Sequence, residues 1–425
     1  MALTLAGCME DPFDYGAPRS CESADQVAWV HAIMQDAYLF AADVPAVEPA
    51  DYETPADLVA AMRVPPDRWS RVSDKARTNA LFKDGMIIGL GFHTRRDAAG
   101  RLVVSWVTPD SNADRAGMRR GDVMDEIGGL TIAQIDGDDR WGEIYGANEP
   151  GVEVPVRYVR ESDGSVQDAV IVKDWLEIET VPVDDVFEQD GHTVGYLLFA
   201  TFVDTAAARL DDTFEAFRDA GVHDVIVDLR YNGGGRVKIA RQLVDLLVGN
   251  VADGEISYSV EYGPGLADQD ERHPVSRRRG SVVDPGRIVF ITSGSTLSAS
   301  ELVINAVRPH VDVRVVGGST GGKPVGSHQW EFCDKILQPI TFKLSNADGY
   351  GDYFDGLAAD CIAGDDLMMQ LGDPREAGLA AALHVATTGA CLPPPPERAL
   401  MPDDDGVHAE PPPVHAEIEG LRGFF

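Results

Sequence analysis

The sequence contains few cysteines and few basic residues, and it lacks a long hydrophobic run. No stretch approaches the ~18 consecutive apolar residues that a membrane-spanning helix needs. None of the five cysteines belongs to a Cys-x-x-Cys pair or to a Cys/His cluster with zinc-finger spacing, so no metal or other cofactor is expected. The 36 basic residues face 70 acidic ones, for a formal net charge of -34. This charge repels phosphate backbones, so nucleic acid is not an expected partner.

The residues that are present are those of a globular protein with more than one domain. Apolar residues make up 44% and charged residues 25% of the chain, which is typical of globular proteins, and 425 residues suffice for two or three domains. Patterning divides the chain into a start and linker, a small helical N-terminal segment, a β-rich part, an α/β part and a tail. The predicted bounds are 1–22, 23–83, 84–177, 178–391 and 392–425.

Three of these parts rest on simple local signals. Ser23 and Gln26 form a capping box ahead of apolar residues that share one helical face. Within 178–391, strands such as Asp224–Arg230 alternate with helices such as Val237–Val248, which predicts an α/β domain with a largely parallel sheet. The last 34 residues include eight prolines and seven acidic residues. Such a segment buries too little apolar surface to fold, so a disordered tail is predicted.

The cysteines indicate an extracytoplasmic protein. Leu5-Ala6-Gly7-Cys8 resembles the lipobox of bacterial lipoproteins, whose cysteine is lipidated once the signal peptide is removed. The apolar run before Cys8 is short and has no basic flank, so an accidental match is the alternative. If Cys8 carries a lipid, the remaining cysteines suffice for two disulfides in an oxidising compartment. Three pairings are possible, and the favoured one is Cys333–Cys361 with Cys21–Cys391.

The first candidate catalytic segment is Ser298-Ala299-Ser300-Glu301, which lies between an apolar strand and an apolar helix. A serine on a strand-to-helix turn is exposed as a nucleophile, and the N–H groups of the helix N-terminus stabilise an oxyanion. The alternative is an ordinary helix cap.

Two glycine-rich segments follow strands. Asp228-Leu229-Arg230-Tyr231-Asn232-Gly233-Gly234-Gly235 lets backbone N–H groups approach a ligand, or simply forms a tight turn. Gly317 to Pro324 copies most of a phosphate-binding loop. However, Pro324 stands where that loop needs the Ser or Thr that holds Mg²⁺, and no clear helix follows, so nucleotide binding is a minor alternative.

Together the three segments resemble peptidase family S41, the C-terminal-processing or tail-specific serine peptidases, over roughly residues 23–391. The resemblance implies an α/β, crotonase-like catalytic core with a mixed or parallel sheet. It implies Ser298 as nucleophile and Lys323, twenty-five positions later in a Gly-Lys turn, as general base. By the same resemblance, the N–H groups of Gly234 and Ala299 form the oxyanion hole.

The chemistry of a serine–lysine dyad is consistent with these residue types, but the chain departs from the family at Gly233, where a proline is usual, and again after the lysine. A serine hydroxyl attacks only when a base takes its proton, and lysine can do so only in its neutral form, which burial favours. Many family members carry a glutamine four residues after the lysine. Here that position is Ser327, which is the candidate to orient the lysine. His310 and His328 are alternative bases.

Residues 84–177 resemble an inserted PDZ domain. Gly89-Leu90-Gly91-Phe92 matches the loop that holds a peptide's terminal carboxylate in such domains. A captured peptide is expected between the strand at Phe92 and a helix near 138–146 that carries Trp141 and Ile144. The alternative is that both side chains are core residues.

The predicted function is that of a periplasmic or cell-surface serine endopeptidase, anchored by a lipid at Cys8. Its expected partners are proteins or peptides with free apolar C-termini. The alternative is a catalytically inactive protein of the same fold that binds peptides or other ligands.

Overall fold

The computed structural model describes residues 11–393. The predicted lipidation at Cys8 and nearly all of the predicted tail therefore lie outside the described residues. No helix in residues 11–393 is long and apolar enough to cross a membrane.

The described part of the chain alternates helices and strands. The helices are α1 (Ser23–Ala37), α2 (Pro55–Met62), α3 (Lys75–Asn79), α4 (Asn112–Arg115), α5 (Ile132–Gly137), α6 (Ala206–Asp219), α7 (Val237–Val248), α8 (Ala299–Val307) and α9 (Ala377–Thr388). The strands are β1 (Arg71–Asp74), β2 (Met86–Gly89), β3 (Phe92–Arg96), β4 (Leu102–Val107), β5 (Val123–Ile127), β6 (Leu130–Thr131), β7 (Glu153–Val159), β8 (Val166–Val172), β9 (Asp174–Glu177), β10 (Val183–Gln189), β11 (His192–Leu198), β12 (Asp224–Asp228), β13 (Ile256–Tyr262), β14 (Glu271–Pro274), β15 (Arg287–Thr292), β16 (Asp312–Gly317), β17 (Val325–Ser327), β18 (Trp330–Phe332), β19 (Lys335–Gln338), β20 (Ile340–Asn346) and β21 (Cys361–Ile362). Short 3₁₀ turns lie at Ala41–Asp43, Pro49–Asp51 and Pro264–Gln269, and a π-helical turn lies at Ala80–Asp84.

The described residues form two compact units, and the first combines residues 11–78 with Tyr258–His273 and Val325–Ser345. Helix α1 buries the predicted apolar face against α2. It begins at Ser23 itself, after Glu22, so the predicted cap at Ser23 is wrong by one residue. Beside the helices lie a β1-β19-β18 sheet and a β14-β13-β20-β17 sheet.

The second unit contains the rest of the described residues and is built on a six-stranded sheet in the order β10-β11-β12-β15-β16-β21. The β10–β11 pair is antiparallel and the other pairs are parallel. Helix α9 packs on one face, where Leu379 and Leu383 join Val194, Ile226 and Val289 in the core. The predicted mixed α/β fold is confirmed. In a parallel sheet, the loops after successive strands meet at one edge, which is where ligand sites form.

Residues 86–177 of the second unit, called the β-module below, have their own sheet in the order β3-β4-β5-β7-β8, with β6 on β5. A separate core fills it, including Val104, Ile127 and Tyr158. Strand β3 pairs only with β4 in the described part of the chain, so it is an edge strand of this sheet.

The helix predicted near 138–146 is wrong in place. Thr131 forms a capping box with Gln134, which starts α5 several residues earlier. The helix ends at Gly137, and Asp139 with its φ of 51° prevents continuation. Residues 141–145 are therefore turns rather than helix.

The four cysteines in the described residues form two disulfides, but the favoured pairing is wrong. Cys21 pairs with Cys333, with a Cα–Cα distance of 5.9 Å. Cys361 pairs with Cys391, with a Cα–Cα distance of 5.3 Å. The reason is topological: Cys333 lies in the β18–β19 turn of the first unit, near the start of α1, whereas Cys361 lies on an edge strand of the sheet that α9 covers, and Cys391 follows α9.

Candidate active site

Ser298 lies at a strained turn between β15 and α8. Its backbone has φ 57° and ψ -115°, a region that residues other than glycine seldom adopt and that costs on the order of 1–3 kcal/mol. Ala299 follows as the first residue of α8, where backbone N–H groups have no partner inside the helix. The side chain of Ser298 is half-buried. The turn therefore presents a hydroxyl beside a helix N-terminus, as the sequence predicted.

The glycine-rich segment passes directly against this turn. A Cβ added to Gly234 would lie 2.9 Å from Ser298 Cβ, 2.9 Å from the Ala299 nitrogen and 2.7 Å from the Leu297 oxygen. Gly234 also has a φ of 104°. Only glycine allows so close an approach in this backbone conformation.

Asn232 ties the two segments together and is fully buried. Its carbonyl oxygen accepts hydrogen bonds from the Ser300 hydroxyl (2.9 Å) and the Leu297 N–H (3.2 Å). Its side-chain Oδ1 accepts the Gly234 N–H at 2.9 Å. An oxyanion that uses the Gly234 N–H must therefore share this donor with Asn232 or displace it.

The sequence reasoning missed Glu301 as a functional residue. Its carboxylate is fully buried and accepts the Ser298 N–H at 2.8 Å and the Lys323 N–H at 2.7 Å. It also accepts the Thr320 hydroxyl at 2.6 Å and the Gly322 N–H at 2.8 Å. One side chain thus fixes the backbones that carry both predicted dyad residues. The Ser-x-x-Glu spacing is a capping-box signal that identifies this contact in the sequence.

The surroundings of Glu301 are closed and polar. Burial raises the pKa of this carboxyl above its usual value, while the hydroxyl of Thr320 and the N–H groups counteract that effect. Thr320 also accepts the Leu357 N–H at 2.7 Å. A Cβ on Gly322 would lie 2.1 Å from the Phe354 oxygen, so the turn before Lys323 is packed flush against residues 354–357.

Buried ion pairs support the start of the glycine-rich segment. Arg230 donates to Asp228 at 2.8 Å and, through two nitrogens, to Glu376 at 2.8 and 2.9 Å. Glu376 in turn accepts N–H groups at the first turn of α9. Burial raises the pKa of Asp228 although Arg230 lowers it. The strand end before Gly233 is therefore held by charge-assisted hydrogen bonds.

The two alternative bases, His310 and His328, make the following contacts. Both ring nitrogens of His310 are engaged, by Glu255 and the Ile256 oxygen at 3.1 Å each. The nine residues of α8 separate His310 from Ser298 by about 14 Å along the helix axis. His328 lies in the first unit, stacked on Phe13 with ring centroids 4.4 Å apart. Burial lowers its pKa.

Other predicted residues fall in defined places. Ser327 ends β17 in the first unit, so a strand follows Pro324 where a phosphate-binding loop requires a helix. Among residues 11–393 no His, Cys, Asp and Glu side chains are grouped to hold a metal ion.

The predicted carboxylate-binding loop connects β2 to β3. Leu90 and Phe92 are buried in the core of the β-module, so their side chains are not available to a peptide. Ile144 belongs to the same core, whereas Trp141 is partly buried against it and donates to Asp136 at 3.1 Å. Of the two predicted groove side chains, only Trp141 is accessible.

Comparison with known proteins agrees with this architecture. A model described as peptidase family S41 matches residues 193–360, and one described as the peptidase S41 N-terminal domain matches residues 25–71. The chain is 24% identical over 249 residues to carboxyl-terminal-processing peptidase 3, chloroplastic, of Arabidopsis thaliana, covering 56% of this chain and 46% of that protein. It is 25% identical over 262 residues to carboxy-terminal processing protease CtpA of Bacillus subtilis, covering 61% and 53%. The matches thus span about half the length of these relatives.

Two solved structures share the fold. A candidate S41 protease from Bacteroides fragilis superimposes with a TM-score of 0.67 at 21% identity, covering 84% of this chain and 96% of that one. The photosystem II D1 C-terminal processing protease superimposes with a TM-score of 0.51 at 18% identity, covering 80% and 92%.

Proposed function

Because the chain belongs to peptidase family S41, we propose that it is a serine endopeptidase that cleaves protein substrates near their C-termini. The observation that carries this proposal is the strained turn at Ser298, enclosed by Gly234 and tied through Glu301 to the backbone of Lys323. A serine that merely capped a helix would need neither the strain nor the close glycine.

The proposed reaction proceeds in two halves. Ser298 Oγ attacks the scissile carbonyl carbon while the neutral Lys323 amine takes the hydroxyl proton. The C–N bond then breaks, the lysine ammonium returns that proton to the leaving amine, and an acyl ester on Ser298 remains. A water, deprotonated by Lys323, then attacks the carbonyl carbon of this ester. The ester C–O bond breaks, the lysine ammonium returns the proton to Ser298 Oγ, and the new carboxyl terminus is released. Ser327 is proposed to orient the lysine in place of the family's glutamine.

The oxyanion of each tetrahedral intermediate is proposed to lie between the N–H groups of Ala299 and Gly234. Support comes from the 2.9 Å separation between the Ala299 nitrogen and a Cβ built on Gly234. The Ala299 N–H belongs to a helix N-terminus, which favours negative charge. The Gly234 N–H contributes when the oxyanion competes with Asn232 for it.

Substrate capture is proposed to use the β-module as a PDZ domain. Strand β3 is an edge strand, a position that suits addition of a peptide strand, and the backbone at Gly89–Gly91 is proposed to hold the terminal carboxylate. Trp141 is the side chain proposed to contact an apolar C-terminal residue, since Ile144 is a core residue.

The compartment is proposed to be extracytoplasmic and oxidising, with Cys8 as the anchor. The disulfides Cys21–Cys333 and Cys361–Cys391 support this, because such bonds persist mainly outside the cytosol.

The function is tested with peptides that end in an apolar residue and carry either a free or an amidated C-terminus. The proposal predicts cleavage of the free-carboxylate peptide, weaker cleavage of the amide, and none by Ser298→Ala, with the cut sites mapped by mass spectrometry. Binding of the free-carboxylate peptide without cleavage, and without labelling of Ser298 by a fluorophosphonate, would instead identify an inactive peptide-binding protein.

A further inference from the structure

Arg120 belongs to the β-module, between α4 and β5, yet its guanidinium is buried among residues outside that module. Its side chain is only 4% exposed. It donates to Asp365 Oδ1 at 2.6 Å, to the Tyr231 hydroxyl at 2.7 Å and to the Met369 carbonyl oxygen at 2.8 Å. A further bond goes to the Ser105 carbonyl oxygen at 2.6 Å within the module.

Asp365, which accepts a hydrogen bond from Arg120, also contacts two residues of the glycine-rich segment. Its Oδ1 also accepts Arg230 Nη1 at 3.2 Å, and its other oxygen accepts the Tyr231 hydroxyl. Burial would raise the pKa of Asp365, but Arg230 and Arg120 lower it below its usual range, so this group is a carboxylate at neutral pH. Arg120, Asp365 and Arg230 thus form a continuous ion-pair network that reaches the segment Asp228–Gly235.

A second arginine of the β-module contacts the same place. Arg95, on β3, lies with its guanidinium carbon 4.8 Å from the centroid of the Tyr231 ring. It also donates to the Ser295 hydroxyl at 2.6 Å, three residues before Ser298. Tyr231 is thus held through its hydroxyl by Arg120 and over its ring by Arg95.

The charges explain why Arg120 matters to this arrangement. Without its guanidinium, Asp365 retains Arg230 as its nearest cation, and the Tyr231 hydroxyl loses one partner. Arg230 would then be drawn toward Asp365 and away from its bonds with Asp228 and Glu376. Removing one member of a buried ionic group leaves the others poorly compensated, so the partners rearrange.

We propose that Arg120 is a positioning residue that sets the backbone of the glycine-rich segment, so that the β-module completes the oxyanion site as well as capturing substrate. The catalytic part of this statement rests on the proposed function. The structural part, that the segment is ordered through Arg120, does not.

The test compares Arg120→Ala with Arg119→Ala. Arg119 is the matched control because it is the adjacent arginine, is 58% exposed and pairs with Asp114 in the same module. For Arg120→Ala we expect kcat to fall between about 10- and 100-fold, as for a displaced catalytic group, with KM within about twofold of wild type. Hydrogen exchange at the amides of Gly233–Gly235 should be faster. Arg119→Ala should change neither kcat nor the exchange rates of these amides.

Two further variants separate positioning from loss of folding. Tyr231→Phe removes only the hydroxyl that Arg120 and Asp365 share, and it should lower kcat in the same direction by a smaller factor. Arg120→Lys keeps the charge but not the fork that reaches several acceptors, so it should recover part of the activity lost in Arg120→Ala.

Defined outcomes would overturn the inference. If Arg120→Ala and Tyr231→Phe both fold and match Arg119→Ala in kcat and in exchange, Arg120 has no positioning role. If wild-type protein cleaves no peptide, the proposed function fails. The exchange rates alone then decide on Arg120, since faster exchange only in Arg120→Ala supports the ordering of the segment and equal exchange rejects it.

Discussion

Ser298 adopts a backbone conformation that needs support from its surroundings, and the structure supplies that support through single side chains. Glu301 accepts the N–H groups of Ser298 and Lys323, while Asn232 holds the Leu297 and Ser300 positions on either side. Strain at one residue persists only where neighbours over-determine its geometry. We therefore expect substitutions of these supporting side chains to affect the site even when Ser298 and Lys323 are unchanged.

The first prediction concerns Glu301→Gln. The amide places a donor where the carboxylate accepted N–H groups, so at least one buried donor loses its partner at about 1–3 kcal/mol. Because Ser298 and Lys323 are fixed by the same carboxylate, kcat/KM for peptide cleavage should fall about 100-fold. The exposed Glu331→Gln serves as control. Activity of Glu301→Gln within twofold of that control would exclude the positioning role.

The second prediction concerns Gly234→Ala. The added methyl group would collide with Leu297, Ser298 and Ala299 atoms at 2.7–2.9 Å, so peptidase activity should be lost. Gly221→Ala is the matched control, because Gly221 has a φ of 71° and no atom within 4 Å of an added Cβ. The control should show only the backbone cost, about 1 kcal/mol in the free energy of unfolding, with activity unchanged. Equal activity in both variants would argue against a close approach at Gly234.

At the scale of elements, the sequence predicted helices and strands better than contacts between residues far apart in the chain. Helix α7 has the predicted bounds Val237–Val248 because its apolar residues recur with helical spacing between clear breakers. The helix near 138–146 failed because a local cap at Thr131 started α5 earlier. The family resemblance pointed to Ser298, Lys323 and Gly234, and their catalytic roles stay predictions. The ion-pair network of Arg120 and Asp365 was not predictable, since it joins side chains 245 positions apart and depends on tertiary packing.

The predicted disulfide pairing was wrong for the same reason, and the observed pairing leads to the third prediction. Cys21–Cys333 spans 312 residues and Cys361–Cys391 spans 30. Loop-closure entropy makes loss of the longer link the more destabilising, by about 2 kcal/mol. Cys21→Ser with Cys333→Ser should therefore lower the urea midpoint more than Cys361→Ser with Cys391→Ser, while alkylation of denatured, unreduced wild type should find no thiol among the four. A larger effect of the shorter link would contradict this order.

For the whole molecule, the fourth prediction links stability to pH through His328. Burial lowers the pKa of this ring, which stacks on Phe13 near Asp11, below its ordinary value of 6.5. The unfolded chain thus binds a proton that the folded chain does not as the pH falls below about 6.5, so stability decreases there and is fully present above it. His328→Gln should reduce this decrease in thermal melts between pH 7 and 5. An identical decrease in the variant would assign it to other groups.

The central claim is that Ser298 and Lys323 act as one catalytic unit, and it is tested most directly by the turnover of one peptide across pH in four variants. Ser298→Ala and Lys323→Ala should each abolish cleavage to a similar extent, because nucleophile and base act as one unit and the effects of removing them are not additive. Lys323→Arg should fail as well, since a guanidinium stays protonated. His328→Gln should retain cleavage, with a rate that rises with pH as the lysine loses its proton. Near-normal turnover by Lys323→Ala together with its loss in His328→Gln would contradict the dyad and establish a histidine base.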